Sequence, residues 1–505
     1  MFFDSVISYL FEHVNLFLKK LFKQVIDFSA FPFYNVRKHF DFSLEYTENF
    51  LMQTNLTSGS PNFNRTMARL AIPIVLQNLV TTAVSSADVI MLGFISQDAL
   101  AAGSLASQIM FILNLVYAGI SSGTVMLAAQ YWGRQDTQTI EQIMGIGMRL
   151  SILVSTAFFI LACYSPSLLM RIFTNEERII ATGIPYLRVV SFSYLFMSIS
   201  QVYLCTMRAI ERVIFATAAN GSALVLNILL NAVFIFELFG APRLGIMGVA
   251  LATSISRGVE LLICLLDNVN ARIIRFRLRT LWMKNKVLSS DFLKYSLPAF
   301  GNEIVWGVAF SMYSVIMGHL GSDMVAANAV VVVARNLGTV ACFGIANAGA
   351  ILLGKSIGAC HTETVKADAS RFCRLTLIAG ILGGIVIFLL KPLFLQMADL
   401  TPAAQGYLNI MLLINMYYVV GQAMNSAVIC GVFRSGGDSR WGFICDTIDM
   451  WGYAVPLGFI AAFVLKLPPM WVYFLICTDE FVKIPFVYKH YKSYKWLKNI
   501  TREFV

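Results

Sequence analysis

From residue 69 to residue 490 the chain alternates long apolar runs with short polar connectors, and the runs supply the ~20 residues that a ~30 Å hydrocarbon core demands. A helix satisfies its own backbone hydrogen bonds in lipid, so a bundle of spanning helices follows. The pattern predicts six spans near 70–95, 103–131, 143–164, 184–207, 213–237 and 246–267. Six more fall near 292–318, 326–356, 373–395, 405–432, 441–464 and 468–489. The expected fold is an all-α integral membrane protein with twelve transmembrane helices in two homologous six-helix bundles.

Ahead of the first span the pattern changes. Val6, Leu10, Val14, Phe17, Leu21 and Val25 recur every three or four residues, the spacing of an amphipathic helix lying on a membrane surface. Lys19, Lys20 and Lys23 interrupt this stretch and no small-residue cleavage site follows it, so it does not read as a cleavable signal. Residues 54–62 read as a polar linker, and the sequons at Asn55 and Asn64 are expected to stay idle on the cytoplasmic side. The expected segments are a leader and linker (1–64), a first bundle (65–270), a basic loop (271–291), a second bundle (292–490) and a basic tail (491–505).

Composition agrees: 58% of the residues are hydrophobic and 13% charged, with mean hydropathy +0.71, against roughly 45–50% and about 25% for soluble domains. The net charge of +10 would raise the question of nucleic acid in a soluble protein. Here the cations sort by loop instead. Arg134, Arg208, Arg212, the run from Arg272 to Lys286, Lys366, Arg371, Arg434, Arg440 and the tail lysines fall on one side. Arg171, Arg178, Arg243, Lys391 and Lys466 are nearly all that the other side carries. The positive-inside rule then places both termini in the cytoplasm of a multi-pass plasma-membrane protein. The nine cysteines show no paired short spacing, so neither disulfides nor zinc are expected. No nucleotide-binding loop, cofactor or enzymatic chemistry is expected, and a monomer suffices.

Shifting the sequence by 225 residues lays one half on the other. Leu-Ala-Ile-Pro73 meets Tyr-Ser-Leu-Pro298, Met91-Leu-Gly93 meets Ile316-Met-Gly318, Gly119-Ile120 meets Gly344-Ile345, and Gly133 meets Gly358. With a shift of 226, Arg208 meets Arg434. Six helices per repeat give two halves of the same orientation, related by an axis along the membrane normal, with solute and ion sites expected between them at membrane depth.

The Pro73–Gly133 block, its echo from Pro298 to Gly358, the segment Asn302-Glu303-Ile-Val-Trp306-Gly307 and the terminal Lys495-Trp496-Leu-Lys498-Asn499 resemble the multidrug and toxic compound extrusion (MATE) transporters. The resemblance spans residues 65–502 and implies a 6+6 bundle that exports amphipathic, often cationic, organic compounds in exchange for H+ or Na+. In the archaeal-type branch of that family an aspartate stands in the first helix where this chain has Asp88. The resemblance extends to Asn227 and Asn231, although that branch often has an acid at the second position.

A charge at the centre of a bilayer helix costs ~2.5–3.5 kcal/mol or more, so buried carboxylates are functional candidates. Asp88 lies fifteen residues past Pro73, about 22 Å along the helix. Asn227 and Asn231 share one face of the fifth helix. Glu303 lies five residues past Pro298, without a cation within a turn. Asp446 and Asp449 share a face of the eleventh helix and, with Gln422 and Asn425, could cage a transient Na+; the rival reading is a loop contact with Arg434 or Arg440. Arg257–Glu260 and Asp479, Glu480 and Lys483 read as structural pairs, and Arg335 as a partner for Glu303 or Asp88. Trp306, Tyr313, Met197, Met416, Tyr417, Gln422 and Asn425 are expected to line a substrate cleft. The competing function is a flippase for a lipid-linked saccharide, disfavoured because Arg335 is the one isolated arginine well inside a predicted span.

Overall fold

The computed structural model describes residues 63–502 apart from Phe94, Ala241, Arg243, Arg272, Lys284, Ala398 and Asp399. The expected surface helix over 6–25, the linker and the sequon at Asn55 lie outside the described residues. Among the described residues there are helices and no strands. The first bundle comprises α1 (Phe63–Gly93), α2 (Gln97–Gly133), α3 (Thr137–Tyr164), α4 (Glu177–Ala209), α5 (Val213–Ile235) and α6 (Ile246–Asn270). The second comprises α7 (Lys286–His319), α8 (Ser322–Gly358), α9 (Thr362–Met397), α10 (Pro402–Phe433), α11 (Ser439–Val464) and α12 (469–492).

Ten of these helices are long and apolar enough to cross a membrane. The other two, α7 and α12, carry charges inside the span: Asp291, Lys294 and Glu303 in α7, and Asp479, Glu480 and Lys483 in α12. Several helices outrun the spans expected from hydropathy. The apolar pattern marks only the part meant for lipid, whereas α2, with 37 residues, extends about 55 Å at 1.5 Å per residue. Side-chain caps define such ends: Ser96 accepts from the Ala99 N–H at 3.0 Å, and Asp136 from that of Thr139 at 3.0 Å.

Three of the last helices are irregular. α10 ends in a π-helical turn at Ala427–Phe433, α11 contains two, at Ile448–Ala454 and Ile460–Val464, and α12 is broken into Pro469–Ile476, Asp479–Val482 and Ile484–Lys492. Widened turns of this kind concentrate at functional sites. Pro485 leaves one N–H missing at the last break.

The bundles meet through α1 and α2 of the first and α7 and α8 of the second. Their contacts obey the internal repeat. A Cβ on Gly119 of α2 would strike Phe300 of α7, and one on Gly344 of α8 would strike Val75 of α1. At the end carrying the C-terminal tail, a Cβ on Gly133 would run into the Lys355 carbonyl and one on Gly358 into that of Gln130. The tail reinforces this end. Trp496 is fully buried in a cluster with Leu70, Ile351, Phe372 and Phe433, whereas Ile500 joins one built from α2, α3 and α4.

Candidate functional site

Between the bundles lies a cavity of about 600 Å³. From the first bundle it is lined by Gln77 and Asn78 of α1, Asn114 and Ser122 of α2, Met197, Gln201, Cys205 and Arg208 of α4, Asn220 of α5 and Arg257 of α6. Spacings of four, four and three put the α4 residues in one stripe. From the second bundle come Asn302, Glu303 and Trp306, Gln422, Asn425 and Arg434, and Asp446, Glu480 and Lys483.

The second half is strongly charged. Lys483 of α12, 3% exposed, holds its Nζ 3.0 Å from Glu480, 3.2 Å from Asp446 and 3.5 Å from Asp449. Asn302 donates to the other Asp446 oxygen at 2.7 Å. Arg434 donates to Glu303 at 2.9 Å, to the Asn302 side-chain oxygen at 3.0 Å and, across the cavity, to Ser122 at 3.1 Å. Glu303 thus has a cation beside it, supplied by a residue 131 positions away. Paired in this way the ions persist where each alone would cost several kcal/mol of desolvation. Three carboxylates share the single ammonium of Lys483, which leaves formal negative charge for a proton or a hard cation to answer.

The first half differs. Asp88 accepts from the Asn231 amide at 2.6 Å, Asn231 reaches the Asn227 oxygen at 3.4 Å, and Asn227 donates to Thr253 at 3.2 Å. Separately, Glu260 is sealed by Ser200 at 2.7 Å, Asn220 at 3.0 Å and Arg257 at 2.6 Å. Asp267 takes a bidentate contact from Arg212 at 2.7 and 2.9 Å and a hydrogen bond from Tyr203 at 2.6 Å.

The structure brings Asp88, Asn227 and Asn231 together, and Glu303, Asp446 and Asp449 into the second network. Asp88 and the two asparagines lie outside the cavity lining. Met197, Trp306, Gln422 and Asn425 line the cavity; Tyr313, Met416 and Tyr417 pack into the core of the second bundle instead, where the Tyr313 hydroxyl donates to Asp479 at 3.0 Å. Asn425 gives its amide to the Glu480 carbonyl and carboxylate at 2.6 and 2.7 Å, so it does not face Asp446. An ammonium stands where the oxygen cage was expected to hold Na+, and among the described residues no three His, Cys, Asp or Glu side chains converge as metal ligands do.

Other expectations need correction. The partner of Asp446 and Asp449 is Lys483 rather than Arg434 or Arg440, and the expected Glu480–Lys483 pair, present at 3.0 Å, also lines the cavity. Arg335 neutralises neither Glu303 nor Asp88; its guanidinium lies over the Phe310 ring at 4.9 Å and the Tyr418 ring at 5.7 Å. Arg208 and Arg434, sorted with the loops, face the cavity. One stretch does carry the letters of a phosphate-binding loop, Gly349-Ala-Ile-Leu-Leu-Gly354-Lys355-Ser356. It is continuous α-helix, with Lys355 paired to Glu211 at 2.9 Å, and offers no cradle for a phosphate.

The MatE family model matches residues 73–233 and 298–460, and the two matches begin 225 residues apart. The chain is 25% identical over 448 residues to the uncharacterized transporter YisQ of Bacillus subtilis, covering 85% of this chain and 94% of that one. It is 26% identical over 413 residues to the probable multidrug resistance protein NorM of Mesorhizobium japonicum, covering 79% and 87%. Among solved structures a MOP superfamily transporter from Pyrococcus furiosus superposes with a TM-score of 0.77 at 19% identity, over 87% of this chain and all of that one. A multidrug resistance MATE family transporter in an outward-facing conformation gives the same score over 85% and 96%.

Proposed function

This chain belongs to the MatE family of multidrug and toxic compound extrusion transporters, and from that premise we propose that it exports small amphipathic organic molecules in exchange for H+ or Na+, by alternating access of its two bundles. The observation that carries the reading is the cavity between the bundles, which joins a stripe of α4 to a charged network on α7, α10, α11 and α12. Asp88 with Asn227 and Asn231, and Glu303, Asp446 and Asp449, are the groups we assign to ion coupling. Purified protein in proteoliposomes, loaded with a fluorescent amphiphilic dye and given a proton gradient and then a sodium gradient, tests this directly. Dye movement under neither gradient would remove the antiport reading.

Glu303→Gln keeps the shape of the side chain and its hydrogen bond to Arg434 but cannot change charge. We expect it to bind dye and to lose at least tenfold in gradient-driven export, with Glu303→Asp retaining part of the activity. If Glu303→Gln exports like the parent under both gradients, coupling passes through Asp88, tested by Asp88→Asn, or through Asp446 and Asp449 instead.

The basic connectors support a chain with both termini in the cytoplasm of the plasma membrane. A cysteine introduced at Ser322 should react with an impermeant maleimide in intact cells, and cysteines at Arg277 or Arg440 only after the cells are opened. The reverse pattern would invert the orientation.

A second reading, a flippase for a lipid-linked amphiphile, gains support from the cavity itself. Arg208, Arg257, Arg434 and Lys483 all line it.

A further inference from the structure

The internal repeat assigns each cavity cation a counterpart. α5 begins five residues after Arg208 and α11 five residues after Arg434, so the 226-residue shift holds through these helices. In the second half Arg434 faces Glu303 at 2.9 Å. The position equivalent to Glu303 is Asn78, and that equivalent to Asp446 is Asn220; both are neutral amides lining the same cavity. Repetition has kept the arginine and omitted its carboxylates.

Among the described residues the acids nearby are already engaged: Glu260 is taken by Arg257, Ser200 and Asn220, and Glu211, three residues on, by Lys355. Among the described residues Arg208 forms neither an ion pair nor a side-chain hydrogen bond. It is half-buried and lines the cavity at one end of the α4 stripe that begins with Met197. Beyond the stripe stand Trp306 and Phe343, in edge-to-face contact at 5.9 Å and both on the cavity wall. A guanidinium partly withdrawn from water and lacking a counter-charge is a fork of donors suited to carboxylate or phosphate geometry.

We propose that the cavity takes amphipathic organic anions, with one oxyanion held by Arg208 on the first-bundle side and the apolar body against Met197, Trp306 and Phe343. The inference rests on the transport reading for its biological sense, but the binding it describes needs no gradient. Because the carboxylates sit on the second-bundle side, an anion at Arg208 and a coupling cation among Glu303, Asp446, Asp449 and Glu480 occupy opposite walls without competing for the same charge.

The test is equilibrium binding of 2-naphthoate and of its cationic counterpart 2-naphthylmethylammonium to the full chain in phosphatidylcholine nanodiscs, without any ion gradient. Naphthoate is expected to bind the more tightly. Arg208→Gln should weaken naphthoate by ~10- to 100-fold, the range for a charge-assisted hydrogen-bonded pair, and leave the ammonium compound unchanged. Arg208→Lys should recover most of the affinity. Asn78→Glu, which installs the acid present in the second half, should also suppress naphthoate binding while retaining monodisperse protein. Repeating the titration with phosphatidylglycerol in the nanodisc identifies the source of the anion. Competition that disappears in Arg208→Gln marks a lipid headgroup, and its absence marks a soluble compound. Tighter binding of the ammonium compound, or naphthoate affinity unaltered by both Arg208→Gln and Asn78→Glu, would overturn the proposal. A protein that binds naphthoate but moves nothing under either gradient would instead overturn the export reading alone.

Discussion

Lys483→Met should abolish export and lower the stability of the protein by about 3–5 kcal/mol, the usual penalty for removing one partner of a buried ion cluster. The side chain of Lys483 is 3% exposed and faces Asp446, Asp449 and Glu480, themselves 5, 4 and 1% exposed. Methionine fills a similar volume, so packing changes little. What changes is the charge: three carboxylates would face one another with no cation between them. The loss should appear as a lower melting temperature in detergent, followed by size-exclusion fluorescence. Adding Asp446→Asn to Lys483→Met removes one of the stranded charges and should recover part of the stability without recovering export. An unchanged melting temperature in the single variant would mean that the cluster is already neutral or well hydrated.

Little of this cluster was legible in the sequence, for a physical reason. Hydropathy reads neighbours along one helix, and on that scale Glu480 and Lys483 are an ordinary pair three residues apart. Their significance comes from packing α12 on α11, which brings in Asp446 from 37 residues away. Arg434 likewise looks like a connector residue because it follows an apolar run. The π-helical end of α10 turns it inward to Glu303 and Ser122. The face that each helix turns to the cavity was equally hidden. A helix apolar all round gives no stripe to read, so Tyr313, Met416 and Tyr417 were expected at the cleft although they belong to the core.

What the sequence did carry was the repeat and the number of helices. Both depend on patterns long enough to survive local irregularity: twelve apolar runs, and a register kept from Pro73 and Pro298 to Gly133 and Gly358. The repeat also sets Asp88 apart as an acid without an acidic equivalent in the other half, since Tyr313 stands at its place. The two halves share a scaffold and differ in charge. That asymmetry gives the cavity one wall rich in carboxylates and another with an arginine, Arg208, that has no ion-pair partner among the described residues.

The repeat also exposes a point where a single methyl group should act on the whole molecule. Gly133 and Gly358 end α2 and α8, and each lies against the backbone of the other helix, at Lys355 and Gln130 respectively. The same Gln130 donates to the Ser435 carbonyl at 2.7 Å and accepts from the Ile500 N–H at 2.9 Å, while Lys355 holds Glu211 of the first bundle at 2.9 Å. At this end the two bundles therefore meet backbone to backbone, and a larger residue cannot be accommodated by turning a side chain aside. Gly358→Val should cost the closed arrangement ~1–3 kcal/mol, as overpacking generally does. Alternate states of a protein commonly differ by only a few kcal/mol, so the ratio of closed to open states at this end should fall by about 5- to 150-fold. Export should fall with it, because a transporter that does not close on one side cannot carry solute uphill. The direct readout is Cys430, which lines the cavity. In membranes presenting the tail side, an impermeant maleimide should label Cys430 faster in Gly358→Val than in the parent, with peptide mapping separating it from the exposed Cys360. Gly133→Val should have the same effect by the symmetry of the crossing. Parental rates of both labelling and export in these two variants would show that the crossing yields without opening.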